Sequence, residues 1–175
     1  MNKSIYFRQV IGFVFVCVTG TFLHFLYELT GRSLFAAPFS GVNESTWEHM
    51  KLIFFPMLVF ALIEWHFSKD IDGFMCVKLV GTLTALALIP VIYYTYNGAF
   101  GKSHDWFNIS VFYISAAAAF LLEAKLFKSE RTCKLPSSVA IFILCCISAS
   151  FVIFTFTPPR LPLFEDPITG LYGLL

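Results

Sequence analysis

The sequence predicts an all-α integral membrane protein: one domain, residues 1–175, folded as a bundle of about five transmembrane helices. Three observations predict it. Of the 175 residues, 58% are hydrophobic and only 13% are charged, against roughly 25% charged in soluble domains. The apolar residues gather into five runs, and a bilayer core of about 30 Å takes about 20 helical residues. The polar residues that remain collect near the ends of those runs. Helices are required because hydrocarbon cannot satisfy open backbone groups.

The first span is expected at about 9–30. Lys3 and Arg8 precede it, and its apolar stretch is too long for a signal-peptide core, so it is read as an uncleaved helix. The second, at about 50–67, is the shortest and contains Pro56. The third, at about 75–97, contains Pro90. Each proline removes one helical donor and frees a carbonyl that a neighbour must satisfy. The fourth is expected at about 105–127. The fifth, at about 137–157, is ended by Pro158-Pro159. A short interfacial segment is expected near 33–45. Residues 158–175 mix apolar side chains with prolines and glycines, which predicts an ordered lid over the helix ends.

Lysine and arginine set the orientation. With the N-terminus cytoplasmic, Lys3, Arg8, Lys69, Lys78, Lys125, Lys128, Arg131 and Lys134 lie inside, and Arg32, Lys51, Lys102 and Arg160 outside. That is eight of the twelve basic residues inside, which predicts N-in and C-out. A net charge of +1 and no basic block argue against a nucleic-acid partner. The five cysteines lie mostly in apolar runs without a C-x-x-C pair, so they are read as small core residues with no disulfide framework. Gly12, Gly20, Gly81 and the run Ala116 to Ala119 permit close helix packing, and the small size makes a homo-oligomer plausible.

This topology brings three polar motifs to the outer face. In the first span His24 and Glu28 share a helical face at i,i+4. Ionisable residues at such a depth face the bundle or a wet cavity and are functional candidates. The second motif is Asn43-Glu44-Ser45-Thr46-Trp47-Glu48-His49-Met50-Lys51. Here Ser45 and Glu48 fit a capping box, in which each side chain bonds the other's backbone amide. The structural account of Trp47 is an interfacial aromatic. The third is Ser103-His104-Asp105-Trp106, where Ser103 can cap a helix and Asp105 favours its positive end. Arg160, Glu165 and Asp166 come from the tail. Glu64, His66 and Glu123, near the inner ends, are read as interfacial or loop-pairing groups and left out of the site.

Three imidazoles with several carboxylates suit a divalent metal such as zinc. The expected ligands are His24, Glu28, His49, His104 and Asp105. Glu44 or Glu48 is the expected general base. Arg160, Asp166, Lys51, Trp47 and Asn43 are expected to bind substrate. No strict zinc motif is present; the expectation rests on topology.

The segments Ala37 through Lys51 and Pro158 through Tyr172 resemble those of a family of small bacterial multi-pass membrane proteins of unknown function, mostly from Firmicutes. The resemblance runs over nearly the whole chain, with N-E-S-x-W-E-H-x-K and P-P-x-x-P-L-F-x-D-P as its specific parts. It implies the bacterial cytoplasmic membrane and supplies no activity. A weaker likeness, by analogy alone, is to membrane-embedded zinc amidases of the ceramidase type. This chain lacks their paired histidines on one helix and has fewer spans.

Three functions follow as expectations. The first is a metal-dependent hydrolase embedded in the bilayer and acting on a lipid or amphiphile. The second is a small transporter or channel for a cation or small solute. The third is a non-catalytic binding or assembly protein. Against the second stands the scarcity of polar residues in the inner half of the spans beyond Thr82, Thr84 and Ser115.

Overall fold

The structure, a computed structural model, describes residues 2–68, 71–101, 103–129 and 133–174, without the side chains of residues 2–4 and 105. Lys69, Lys102 and Arg131 of the charge count lie outside the described residues. Among the described residues five α-helices follow in order: α1 (Asn2–Leu29), α2 (Thr46–His66), α3 (Phe74–Phe100), α4 (Asp105–Lys128) and α5 (Ser137–Phe156). All five are long and apolar enough to cross a membrane. Among the described residues there is no β-strand, only an isolated bridge between Glu165 and Tyr172.

The packing follows from which helices carry small residues. Helices α1 to α4 form a ring in which α1 touches α2 and α4, and α3 touches α2 and α4; α5 lies outside against α3 and α2. A Cβ on Gly20 of α1 would come within 2.8 Å of the Leu52 carbonyl and 2.5 Å of the Phe112 ring. Pro56 is the residue whose missing N–H leaves the Leu52 carbonyl without a helical donor. The glycine therefore lets α1 and α4 close over the gap that the proline opens, and both prolines stay inside continuous helices. A Cβ on Gly12 would likewise meet the Phe60 and Phe120 rings at 2.5 Å. Ala116 and Ala119 are fully buried. The small residues thus serve contacts within one chain.

Helix α2 begins at Thr46 rather than near 50 because Ser45 is its N-cap, its Oγ accepting from the Glu48 amide at 3.3 Å. The return leg of the expected capping box is absent. Glu48 Oε2 instead accepts from the Val42 amide at 3.1 Å, and the Ser45 amide donates to Asn43 Oδ1 at 2.9 Å. At α4 the N-cap is His104, without a side-chain bond. Ser103 does not cap: its Oγ donates to Asn108 Oδ1 at 2.7 Å, and its amide to Asn97 Oδ1 at 2.7 Å.

One expectation about cysteine is corrected. Cys76, in the first turn of α3, is joined to Cys133 by a disulfide, while Cys17, Cys145 and Cys146 are free. The two partners stand 57 residues apart, so no local spacing announces the bond. The inner-end charges are corrected too. Glu64 and Glu123 are buried, and both carboxylates lie 2.6 Å from the buried Lys78 ammonium. Only His66 is exposed, edge-on to Phe67.

Candidate functional site

The chain between α1 and α2 folds back over the end of α1. Turns tie Ala36 and Ala37 to the Ser33 carbonyl, and the Gly41 amide reaches Leu23 O at 3.4 Å. This return carries Glu44 between His24 of α1 and His49 of α2. Glu44 Oε1 lies 3.9 Å from His24 Nε2, and Glu44 Oε2 lies 3.5 Å from His49 Nε2. One ligand atom from each of the three lies within 4.8 Å of the others. Two donors bound at about 2.1 Å to a tetrahedral zinc stand about 3.4 Å apart. A closure of about an ångström would therefore complete a three-ligand set.

The tautomer of His49 supports this. Its Nδ1 lies 2.9 Å from Ser45 O, and a carbonyl only accepts, so Nδ1 carries the proton. The lone pair is left on Nε2, which faces Glu44. A metal-binding imidazole is commonly held in this way, its second nitrogen donating to a backbone carbonyl. His24 stacks on Phe25 and meets His49 edge-on, with centroids 5.7 Å apart. All three side chains are partly open to solvent, 33%, 41% and 23% exposed for His24, Glu44 and His49, so a fourth ligand position is accessible.

Two adjoining cavities meet at this cluster. One, of about 500 Å³, lies between α1 and α4, with Gly20, His24, Asn108 and Phe112 in its wall. The exposed Phe25 and Ile109 stand on its lining. The other, of about 320 Å³, is bounded by Thr46, Ile89, Tyr93, Ser103 and Val111. Glu44, His49, Asn108, Phe112 and Ile168 belong to both. The linings are mainly apolar, and the histidine and carboxylate side chains among them are those of the cluster.

The remaining residues singled out from the sequence are placed elsewhere. Glu28 is exposed and accepts from Arg32 Nε at 3.1 Å, one turn on, outside the cluster. His104 is exposed at the start of α4 and outside the cluster. The Asp105 side chain lies outside the described residues. Glu48 is buried and ion-paired with Lys51. Lys51 itself is fully buried, and its ammonium also donates to Ala37 O at 2.8 Å and Thr155 Oγ1 at 2.9 Å. These bonds use all three of its donors and tie the 33–45 return to α2 and α5. Their geometry makes the pair an anchor beneath Glu44.

The C-terminal segment is docked by the other named residues. Trp47 packs against Phe151 and Phe164, with centroids at 4.5 and 4.6 Å, so it lies under the tail instead of in an outer aromatic belt. Phe164 closes a single 3₁₀ turn, Pro162–Phe164. Asn43 Nδ2 donates to Gly173 O at 2.8 Å. Buried Asp166 shapes a turn, its carboxylate accepting from the Ile168 amide at 3.0 Å and Thr169 Oγ1 at 2.8 Å. That turn holds Ile168 against both cavities. Arg160 is exposed. Tyr172 donates to Glu165 Oε2 at 2.9 Å, which raises its phenol above the usual 10.

The model of a family described as of unknown function, DUF6512, matches residues 2–174. No curated protein and no solved structure matches the chain.

Proposed function

For a chain that belongs to this family of unknown function, we propose a membrane-embedded, metal-dependent hydrolase acting on a lipid or other amphiphile. The observation that carries the reading is the His24–Glu44–His49 set, with one ligand atom of each within 4.8 Å, at the junction of two mainly apolar cavities. Two imidazoles and one carboxylate are a donor set that zinc favours, and a fourth position left open is the mark of a catalytic site. Bound there, zinc would lower the pKa of a coordinated water to about 7. That chemistry would need no separate carboxylate base, which suits a site where Glu44 would serve as a ligand and Glu48 is held by Lys51.

The cavity between α1 and α4 supplies a lateral route for an acyl chain, with the headgroup linkage at the cluster. In this reading residues 158–174 form a lid, and Ile168 closes the cavities from above. The positive-inside bias supports an outer-face position for the cluster, in this reading at a bacterial cytoplasmic membrane.

A second reading, a transporter for a cation or small solute, gains from one observation. Lys78, Glu64 and Glu123 put charge into the opposite half of the bundle, where the spans otherwise carry little polarity. Solute flux in proteoliposomes would favour it over hydrolysis.

The deciding measurement is metal content after detergent purification, stripping and reloading with zinc. One zinc per chain is expected in the wild type, lost in His24→Ala and His49→Ala and kept in Glu28→Gln and His104→Ala. Folded wild type that retains no zinc, or equal retention in all four variants, overturns the metalloenzyme.

A further inference from the structure

The half of the bundle away from the histidines holds a second charged group that the reading above does not use. Glu64 of α2, Lys78 of α3 and Glu123 of α4 are all buried, and both carboxylates lie 2.6 Å from one ammonium. The ammonium also lies 5.4–5.6 Å from the ring centroids of Phe60, Phe74, Phe120 and Phe127. Fully ionised, the triad carries one excess negative charge in an apolar, aromatic shell. An uncompensated buried charge is costly enough that such a group takes up a proton instead.

The hydrogen bonding points the same way. Among the described residues, Glu123 Oε1 and both amide atoms of Gln9 are buried without a hydrogen-bond partner. A Cβ on Gly12 of α1 would touch Phe60 and Phe120. Gln9, one turn earlier on that helical face, is therefore level with Glu64 and Glu123, one turn beyond those phenylalanines on the antiparallel α2 and α4. A Cβ on Gly81 would collide with Glu123 Oε1, so the glycine makes the room in which that oxygen sits. A fully ionised triad gives Oε1 no donor to accept from. A protonated carboxyl gives it a hydrogen to offer.

We infer that Glu64, Lys78 and Glu123 form an interior proton-binding site, one proton being shared between the two carboxylates around the Lys78 ammonium, with the Gln9 amide as their polar neighbour. Binding converts one carboxylate and one proton from water into a carboxylic acid and brings the triad to neutrality. The groups facing it are Gln9 from α1, Glu64 from α2, Lys78 from α3 and Glu123 from α4. Arg8 is turned to Ser68 Oγ at 2.6 Å, His66 is exposed, and α5 carries no charged residue. The site is independent of any metal at the opposite end.

Infrared spectra of the purified full chain in lipid nanodiscs, at neutral pH in H2O and D2O, test this. Wild type should show a carboxylic-acid C=O stretch that moves to lower frequency in D2O. Glu64→Gln and Glu123→Gln should each abolish it, because the carboxylate left behind is neutralised by Lys78. Both single variants should melt at or above the wild-type temperature, and the double variant, which strands Lys78, should melt lower. No such band in wild type, its survival in either single variant, or a single variant that melts as low as the double, would overturn the shared-proton site. Stabilisation by sodium in place of the band would assign the triad to a metal cation and overturn it as well.

Discussion

Lys51→Met is the sharpest test of how the site is anchored. The Lys51 ammonium is fully buried among Glu48, Ala37 O and Thr155 Oγ1. Methionine has nearly the same length and none of the donors. The substitution leaves the Glu48 carboxylate, 3% exposed, with the Val42 amide as its remaining donor. Breaking a buried pair by removing one partner costs about 3–5 kcal/mol, mostly from the stranded charge. At roughly 2–4 °C per kcal/mol for a chain of this size, the melting temperature should fall by about 6–20 °C. In Lys51→Met/Glu48→Gln no charge is stranded. Its cost is the lost hydrogen bonds to Ala37 and Thr155, about 1 kcal/mol each, so the double variant should be more stable than the single one. Thermal unfolding in detergent, followed by tryptophan fluorescence, reads both. The reasoning is refuted if the single variant lies within about 1 kcal/mol of wild type, or if the double is no better than the single.

Three further outcomes are expected. Gly20→Ala puts a methyl group against the Leu52 carbonyl and the Phe112 ring and should cost about 1–3 kcal/mol of overpacking, seen as a lower melting temperature; an unchanged one would contradict the close approach. Alkylation and mass spectrometry of air-purified protein should find three reactive thiols before reduction and five after, matching the one disulfide and three free cysteines. Cells quenched with alkylating agent should already show five if that end faces the reducing cytoplasm, and three would reverse the proposed orientation. Tyr172 should form phenolate at higher pH than usual, because its O–H is bonded to Glu165. The raised value means that this contact contributes below pH 10 and is lost as the pH climbs through the shifted value. Glu165→Gln should move the ultraviolet phenolate transition downward, and no movement would show that the bond is not made.

The candidate site was half legible in the sequence. His24, Glu44 and His49 stood out as ionisable groups near one end of apolar runs, which bilayer energetics makes unusual whatever the fold. Glu28 stood out for the same reason, but Arg32, just past the end of α1, takes it into an exposed ion pair. Residue spacing alone does not choose between His24 and Arg32. Lys51 and Asp166 were marked as polar and exceptional. Whether a polar group faces a cavity or a partner depended for Lys51 on Thr155, 104 residues away, and for Asp166 on the turn that the next residues take up to Leu171. Lys78 was counted among the inside basic residues, and nothing local links it to Glu64 or Glu123.

What the sequence determined by itself was the class of fold and its elements. Apolar length and the backbone's need for internal hydrogen bonds in lipid are local properties, and they specify five helices, with ends near Ser45 and Pro158 marked by a cap and by prolines. Only the tertiary structure decided which polar groups meet. Gly20 at the Leu52 carbonyl, Gly81 beside Glu123 and the return of residues 33–45 over α1 set the helix spacings. Those spacings bring two histidines and a glutamate within reach of one ion at one end of the bundle. At the other they close a lysine between two carboxylates. Pairing of this kind depends on distances between segments that the chain separates by tens of residues, and periodicity carries no record of them.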